Sequence, residues 1–120
     1  MITSKYFKEE EFKKCSPPCS LQDMTQDHMN LLDRIRARYG KAMILTSAFR
    51  SVAWEKSKGR SGSGDHPNRT GTDIVSKDGT SKMGIIKAAI AEGCNRIGIH
   101  KDFIHIGSGK TLPQNVVWLY

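Results

Sequence analysis

Apolar residues along this chain change their spacing several times, and each change marks the edge of an element. In residues 26–39, "QDHMNLLDRIRARY", Met29, Leu32, Ile35 and Tyr39 fall three or four apart, which places them on one helix face. Thr25 offers an N-cap and Gly40 a C-terminal stop. A second long helix is predicted through "KMGIIKAAIAE", capped by Thr80 or Ser81 and closed by Gly93. Residues 42–49, "AMILTSAF", are apolar with a strand-like end. "TDIVS" (72–76), "RIGIH" (96–100), "DFIHIG" (102–107) and "VVWLY" (116–120) read as further short strands. A short helix is expected over 4–12 and a helical turn over 50–57. The links are too short for parallel crossovers. The expected fold is therefore α+β, a small, mainly antiparallel sheet with two longer helices.

At 120 residues the chain is one domain, spanning 1–120, with no repeat or low-complexity tail. Apolar content of 38% and charged content of 26% mark a globular chain. No apolar run reaches bilayer length, and "MITSKYFKEEEFKK" lacks the apolar stretch of a signal peptide, so synthesis in the cytosol is expected. The net charge of +7 asks for an acidic partner. Nucleic acid, a polyanionic cell wall and a merely solvated surface all fit it, although no helix-turn-helix, zinc-finger or RNA-binding motif is visible. Cys15, Cys19 and Cys94 make an odd count. "CSPPC" has the spacing of a small metal clip but no second pair beside it, so reduced thiols are expected.

The chemistry lies with the histidines. His28 falls in the first turn of a helix, where an exposed polar role is the default. His66 stands in the Gly/Ser-rich stretch "SGSGDHPNRTGTDI" (61–74), and His105 inside the apolar "FIHI". A catalytic zinc takes about three His or carboxylate ligands and leaves one position for water, whose pKa it lowers to about 7. A carboxylate outside the ligand set must then carry the proton. His66, Asp73, His105 and Asp102 are candidates for these four parts. Seven residues is an odd offset, so His66 and Asp73 cannot face one ion from a flat strand. The "PNRTG" loop between them has to turn, and Gly71 is expected to supply the backbone freedom. Asp102 must likewise sit at a bend before its strand begins.

The ordered set "SAFRS", "GDHPNRTGTDI" and "DFIHIG" resembles the zinc D-Ala-D-Ala carboxypeptidases and their relatives, the phage L-alanyl-D-glutamate endopeptidases and vancomycin-resistance dipeptidases. "KYFKEEEF", "SPPCSLQDM" and "VVWLY" look like the short, phage-type members. The resemblance implies the compact α+β fold shared with the hedgehog signalling domain. It also implies a Zn2+ ion held by His66, Asp73 and His105, with Asp102 as general base. Arg50 is implied to polarise the scissile carbonyl and stabilise the oxyanion, which suits a cation near developing negative charge. The chain departs from the family pattern S-x-H-x-x-G-x-A-x-D at Gly64, Arg69 and Gly71. It has Gly107 where relatives often read H-[IV]-D, and His100 where many carry tyrosine.

The expected function is zinc-dependent hydrolysis of peptidoglycan stem peptides. An open-cleft L-Ala-D-Glu-type endopeptidase is favoured over a D-Ala-D-Ala carboxypeptidase, because few residues remain for a lid. The alternative is a catalytically silent zinc domain that binds wall fragments or a protein partner. A basic nucleic-acid binder rests on charge alone and is not expected. A monomer without a membrane span is expected, acting as a phage lysin or virion-borne enzyme after release, or in cytosolic muropeptide recycling.

Overall fold

The segment "DFIHIG" supplies the middle of the sheet. In the computed structural model, which describes residues 1–120, it forms β4 (Phe103–Gly107). β2 (Gly71–Val75) and β3 (Arg96–Ile99) flank it, both antiparallel. β1 (Leu45–Ser47) pairs antiparallel with β2, and β5 (Val116–Leu119) pairs with β3, giving the order β1-β2-β4-β3-β5. Four helices complete the α+β fold: α1 (Glu9–Lys13), α2 (Gln26–Tyr39), α3 (Val52–Ser57) and α4 (Gly79–Ala91).

Alternation along the strands separates two faces. Ile74, Ile97, Ile104 and Ile106 are buried with Met29, Leu32 and Ile35 of α2 and Ile85, Ala88 and Ala89 of α4 in one core. Each buried Ile, Leu or Met side chain contributes about 1.5–3 kcal/mol. The intervening positions, Asp73, Gly98, Phe103, His105 and Gly107, are left for the other face. α2 runs from Thr25, whose hydroxyl accepts the His28 N–H, to Gly40 in the left-handed conformation, as its sequence predicts.

Three boundaries and one strand direction differ from expectation. α1 starts at Glu9 rather than residue 4, because Ser4 Oγ and the Lys5 and Tyr6 N–H groups donate to the Asp33 carboxylate and hold that segment against α2. β1 keeps only Leu45–Ser47 of the 42–49 run, with an irregular register against β2. The N-cap of α4 is Asp78, not Thr80 or Ser81; its Oδ1 accepts the Ser81 N–H at 2.7 Å. β5 runs parallel to β3. A short link suffices there because β4 ends beside the start of β3, Gly107 opposite Arg96, so residues 108–115 only step past that end of β3.

His28 also departs from expectation. It is fully buried, not exposed, with Nδ1 2.7 Å from Ser108 Oγ and Nε2 3.1 Å from Thr72 Oγ1. Helix periodicity places it beside Met29 and Leu32 on the inner face, where two hydroxyls satisfy its ring. Burial pulls its pKa down to about 3, and the nearby His105 adds to the effect. The unfolded chain binds this proton near pH 6.5, so below that pH it holds more protons than the native state and stability falls as pH falls. The slope is on the order of 1 kcal/mol per pH unit. Urea denaturation from pH 6.5 to 4.5 should show the parent losing stability relative to His28→Gln, which cannot titrate.

Candidate metal centre

The stretch that carries His66 is ordered by its own backbone. Asn68 Nδ2 donates to the Ser63 and Gly64 carbonyls, Arg69 N–H to His66 O, and Thr70 N–H to Asp65 O. The reversal falls on Arg69, at φ 67°, rather than on Gly71. Arg69 holds that conformation with its guanidinium over the Phe49 ring and toward Asp23. Gly71 has a different task, since a Cβ there would lie 2.7 Å from Asp65 Cβ and 3.1 Å from His105 Cε1. A side chain at residue 71 would therefore push the loop away from β4.

That fold brings three donors together. Asp73 stands directly opposite His105 in the β2–β4 register, and His105 Nδ1 lies 2.9 Å from Asp73 Oδ1. His66 enters from the loop with its ring edge-on to His105, centroids 4.9 Å apart. One ligand-type atom from each of the three lies within 4.8 Å of the others, and all three side chains are buried. His66 Nδ1 is 2.5 Å from the Ala48 carbonyl, which can only accept, so this nitrogen carries the proton. In the neutral ring Nε2 is then a lone pair. It is buried without a hydrogen-bond partner, 3.3 Å from Asp73 Oδ1. A cation between that lone pair and the carboxylate oxygen would satisfy both, and the donor set of two imidazoles and one carboxylate fits such an ion. Burial pushes the Asp73 carboxyl up, but the His105 hydrogen bond, with His66 adding, holds it well below the usual carboxylate range. Burial works against charge on His105 too, and is outweighed by Asp65 and Asp73, which raise its pKa.

Of the other expected residues, Arg50 is at the cluster and Asp102 is not in contact with it. Arg50 Nη1 reaches Ser47 Oγ at 3.2 Å and Asp73 Oδ2 at 3.8 Å, while Nε lies 3.4 Å from the buried Glu55. Asp102 occupies the expected bend before β4, its carbonyl accepting the Ser76 N–H. Its side chain is exposed and makes no hydrogen bond within the chain. His100 stacks on Phe103, centroids 4.4 Å apart, beside Tyr120. Cys15, Cys19 and Cys94 are free thiols.

A family model for Peptidase M15 matches residues 5–107. The chain belongs to the Peptidase M15 family. The match takes in Arg50, His66, Asp73, Asp102 and His105 and stops before β5. No curated protein matches the chain. It is a peptidase, with a His-Asp-His cluster suited to a metal ion.

The largest surface hollow of this M15 peptidase, lined by Arg38, Tyr39, Lys41, Met83 and Lys87 among others, shares no residue with the cluster. Buried donors converge at the cluster and not at that hollow. Asp65 is the neighbour of His66 in the sequence. The structure places its Oδ2 2.9 Å from His105 Nε2, the ring nitrogen away from Asp73. An Asp beside a candidate His was the available signal, but nothing in the spacing told which ring it meets.

The close approach at residue 71 can be measured directly. Gly71→Ala should cost about 1–3 kcal/mol in urea denaturation, as overpacking does. Gly64→Ala, in the same loop but with nothing within 4 Å of its Cβ, should stay within about 0.5 kcal/mol of the parent.

Proposed function

We propose that this M15 peptidase is zinc-dependent and hydrolyses peptidoglycan stem peptides, with His66, Asp73 and His105 as the metal ligands. The observation that carries the reading is the buried, unpartnered Nε2 of His66 facing Asp73 and His105. When bound, zinc supplies a Lewis acid that makes water acidic enough to lose a proton near neutral pH.

The remaining work belongs to the chain. Asp102, three residues before His105 and outside the ligand set, takes the proton from the attacking water and delivers it to the leaving amine. Its exposed carboxylate is open to substrate from solvent. Arg50 directs a guanidinium at the scissile carbonyl oxygen and stabilises the charge that develops there. Its Nε and Nη1 are turned to Glu55, Ser47 and Asp73, so Nη2 remains for that oxygen. Only the 100–102 bend and the 108–115 link border β4 in the chain, too little for a closing lid. That supports an open cleft and an L-Ala-D-Glu-type endopeptidase over a D-Ala-D-Ala carboxypeptidase.

Digestion of purified peptidoglycan with zinc present, followed by identification of new amino termini, tests this directly. Cleavage at L-Ala-D-Glu is expected; released D-Ala would identify a carboxypeptidase instead. Asp102→Asn should keep its zinc and lose about 10²–10⁴-fold in hydrolysis. Arg50→Lys, which loses the planar fork, should lower turnover more than zinc content. Alanine at any one ligand should sharply reduce bound metal, while Cys15→Ser with Cys19→Ser should not. The detachment of Asp102 from the cluster favours one second reading, a zinc domain that binds wall fragments without cutting them. A zinc-loaded parent that binds wall peptide and releases no product would establish it.

A further inference from the structure

Asp65 is an unusual place for a negative charge. It is 3% exposed, on a turn, and every oxygen it carries is used. Oδ2 receives Arg96 Nε and Nη2, both at 3.1 Å, and lies 2.9 Å from His105 Nε2. Oδ1 accepts the Gly109 N–H at 3.0 Å and Thr70 Oγ1 at 3.2 Å. Burial alone would expel such a carboxylate, and it stays only because a cation and several donors surround it.

The room for it is cleared by glycine. A Cβ on Gly107 would stand 2.2 Å from Asp65 Oδ2, and one on Gly109 would stand 2.7 Å from Oδ1. Gly107 follows His105 by two residues and so shares its face of β4. Any side chain there would occupy the space between the two strands' worth of polar groups that Asp65 now fills. The carboxylate is therefore built into the back of the His105 ring, on the side opposite Asp73.

We propose that Asp65 is a positioning residue for the metal centre. By accepting a hydrogen bond from His105 Nε2–H it fixes the ring's tautomer and orientation, so that the Nδ1 lone pair is the one offered to the ion beside Asp73. This inference rests on the metal reading above and adds the residue that prepares its third ligand. A ligating imidazole is oriented by whatever receives its other N–H, and loss of that partner typically weakens metal binding 10–100-fold. Arg96 and the Gly109 N–H in turn stop Asp65 from swinging inward to become a ligand itself. A purely structural Asp65–Arg96 pair would leave the His105 tautomer and the metal affinity untouched.

Two measurements decide it, neither of them activity. In long-range 1H–15N correlation spectra of the zinc-loaded parent, His105 should carry zinc at Nδ1 and a slowly exchanging proton at Nε2. Zinc at Nε2 of His105 would overturn the proposal without any variant having to fold. Asp65→Asn keeps the shape but removes the charge, and chelator competition should show its zinc dissociation constant raised at least tenfold. A folded Asp65→Asn with a smaller rise, or with the Nε2 proton exchanging as in the parent, overturns the proposal as well. A parent that takes up no zinc at all overturns the metal reading itself, an outcome visible before any variant is made.

Discussion

The register of β2 against β4 is the constraint on which the centre depends. Opposite residues in that ladder are Asp73 and His105, and their neighbours in the same ladder are Ile74 and Ile104. A slip of one residue would turn the donors into the core and the isoleucines out of it. The apolar positions that fold the sheet therefore also hold a carboxylate against an imidazole. The loop then needs to deliver only His66, and the turn at residues 65–69 does so through backbone hydrogen bonds.

Around that pair lies a concentration of buried charge that a small domain tolerates only with partners. Asp65 and Asp73 face Arg96, Arg50 and His105, and Glu55 faces Arg50 and Arg60. Charges taken out of water in this way cost several kcal/mol each before pairing. Removing one partner leaves the other stranded, which destabilises more than the pair itself contributes. The polar face of the sheet is thus held for the site's sake, and the isoleucine face and the two long helices carry the stability.

Much of this was legible in the residues. Period-3.6 spacing with Thr25 and Gly40 located α2, and the alternation in "DFIHIG" placed His105 on a strand. The odd offset between His66 and Asp73 required a turn. Contacts distant in sequence were less readable. His28 sits where capping logic expects exposure, and only the approach of Thr72 and Ser108 makes burial there affordable. Arg69 takes the left-handed turn because tertiary partners hold it, which no local propensity reveals. Asp78 displaced the hydroxyl caps because a carboxylate one residue before Gly79 reaches the Ser81 N–H. The parallel pairing of β5 follows from where β4 ends in space. Asp65 could be seen as a carboxylate beside a histidine, but its meeting with the other histidine, 40 positions away, is a product of the fold.

The two rims of the sheet are unequal. β1 is short, irregular in register and overlaid by the "CSPPC" loop, with the Ser16 N–H donating to Thr46 O. β5 pairs on one side only and shows Val117 and Leu119 to solvent at 60% and 77% exposure. An open, apolar outer strand is the place where a second extended chain adds itself. β5 is therefore the edge more open to such addition at high concentration, far along the sheet from β1 and outside the family-matched residues. The surplus of basic side chains opposes such stacking by mutual repulsion, and added salt weakens that opposition.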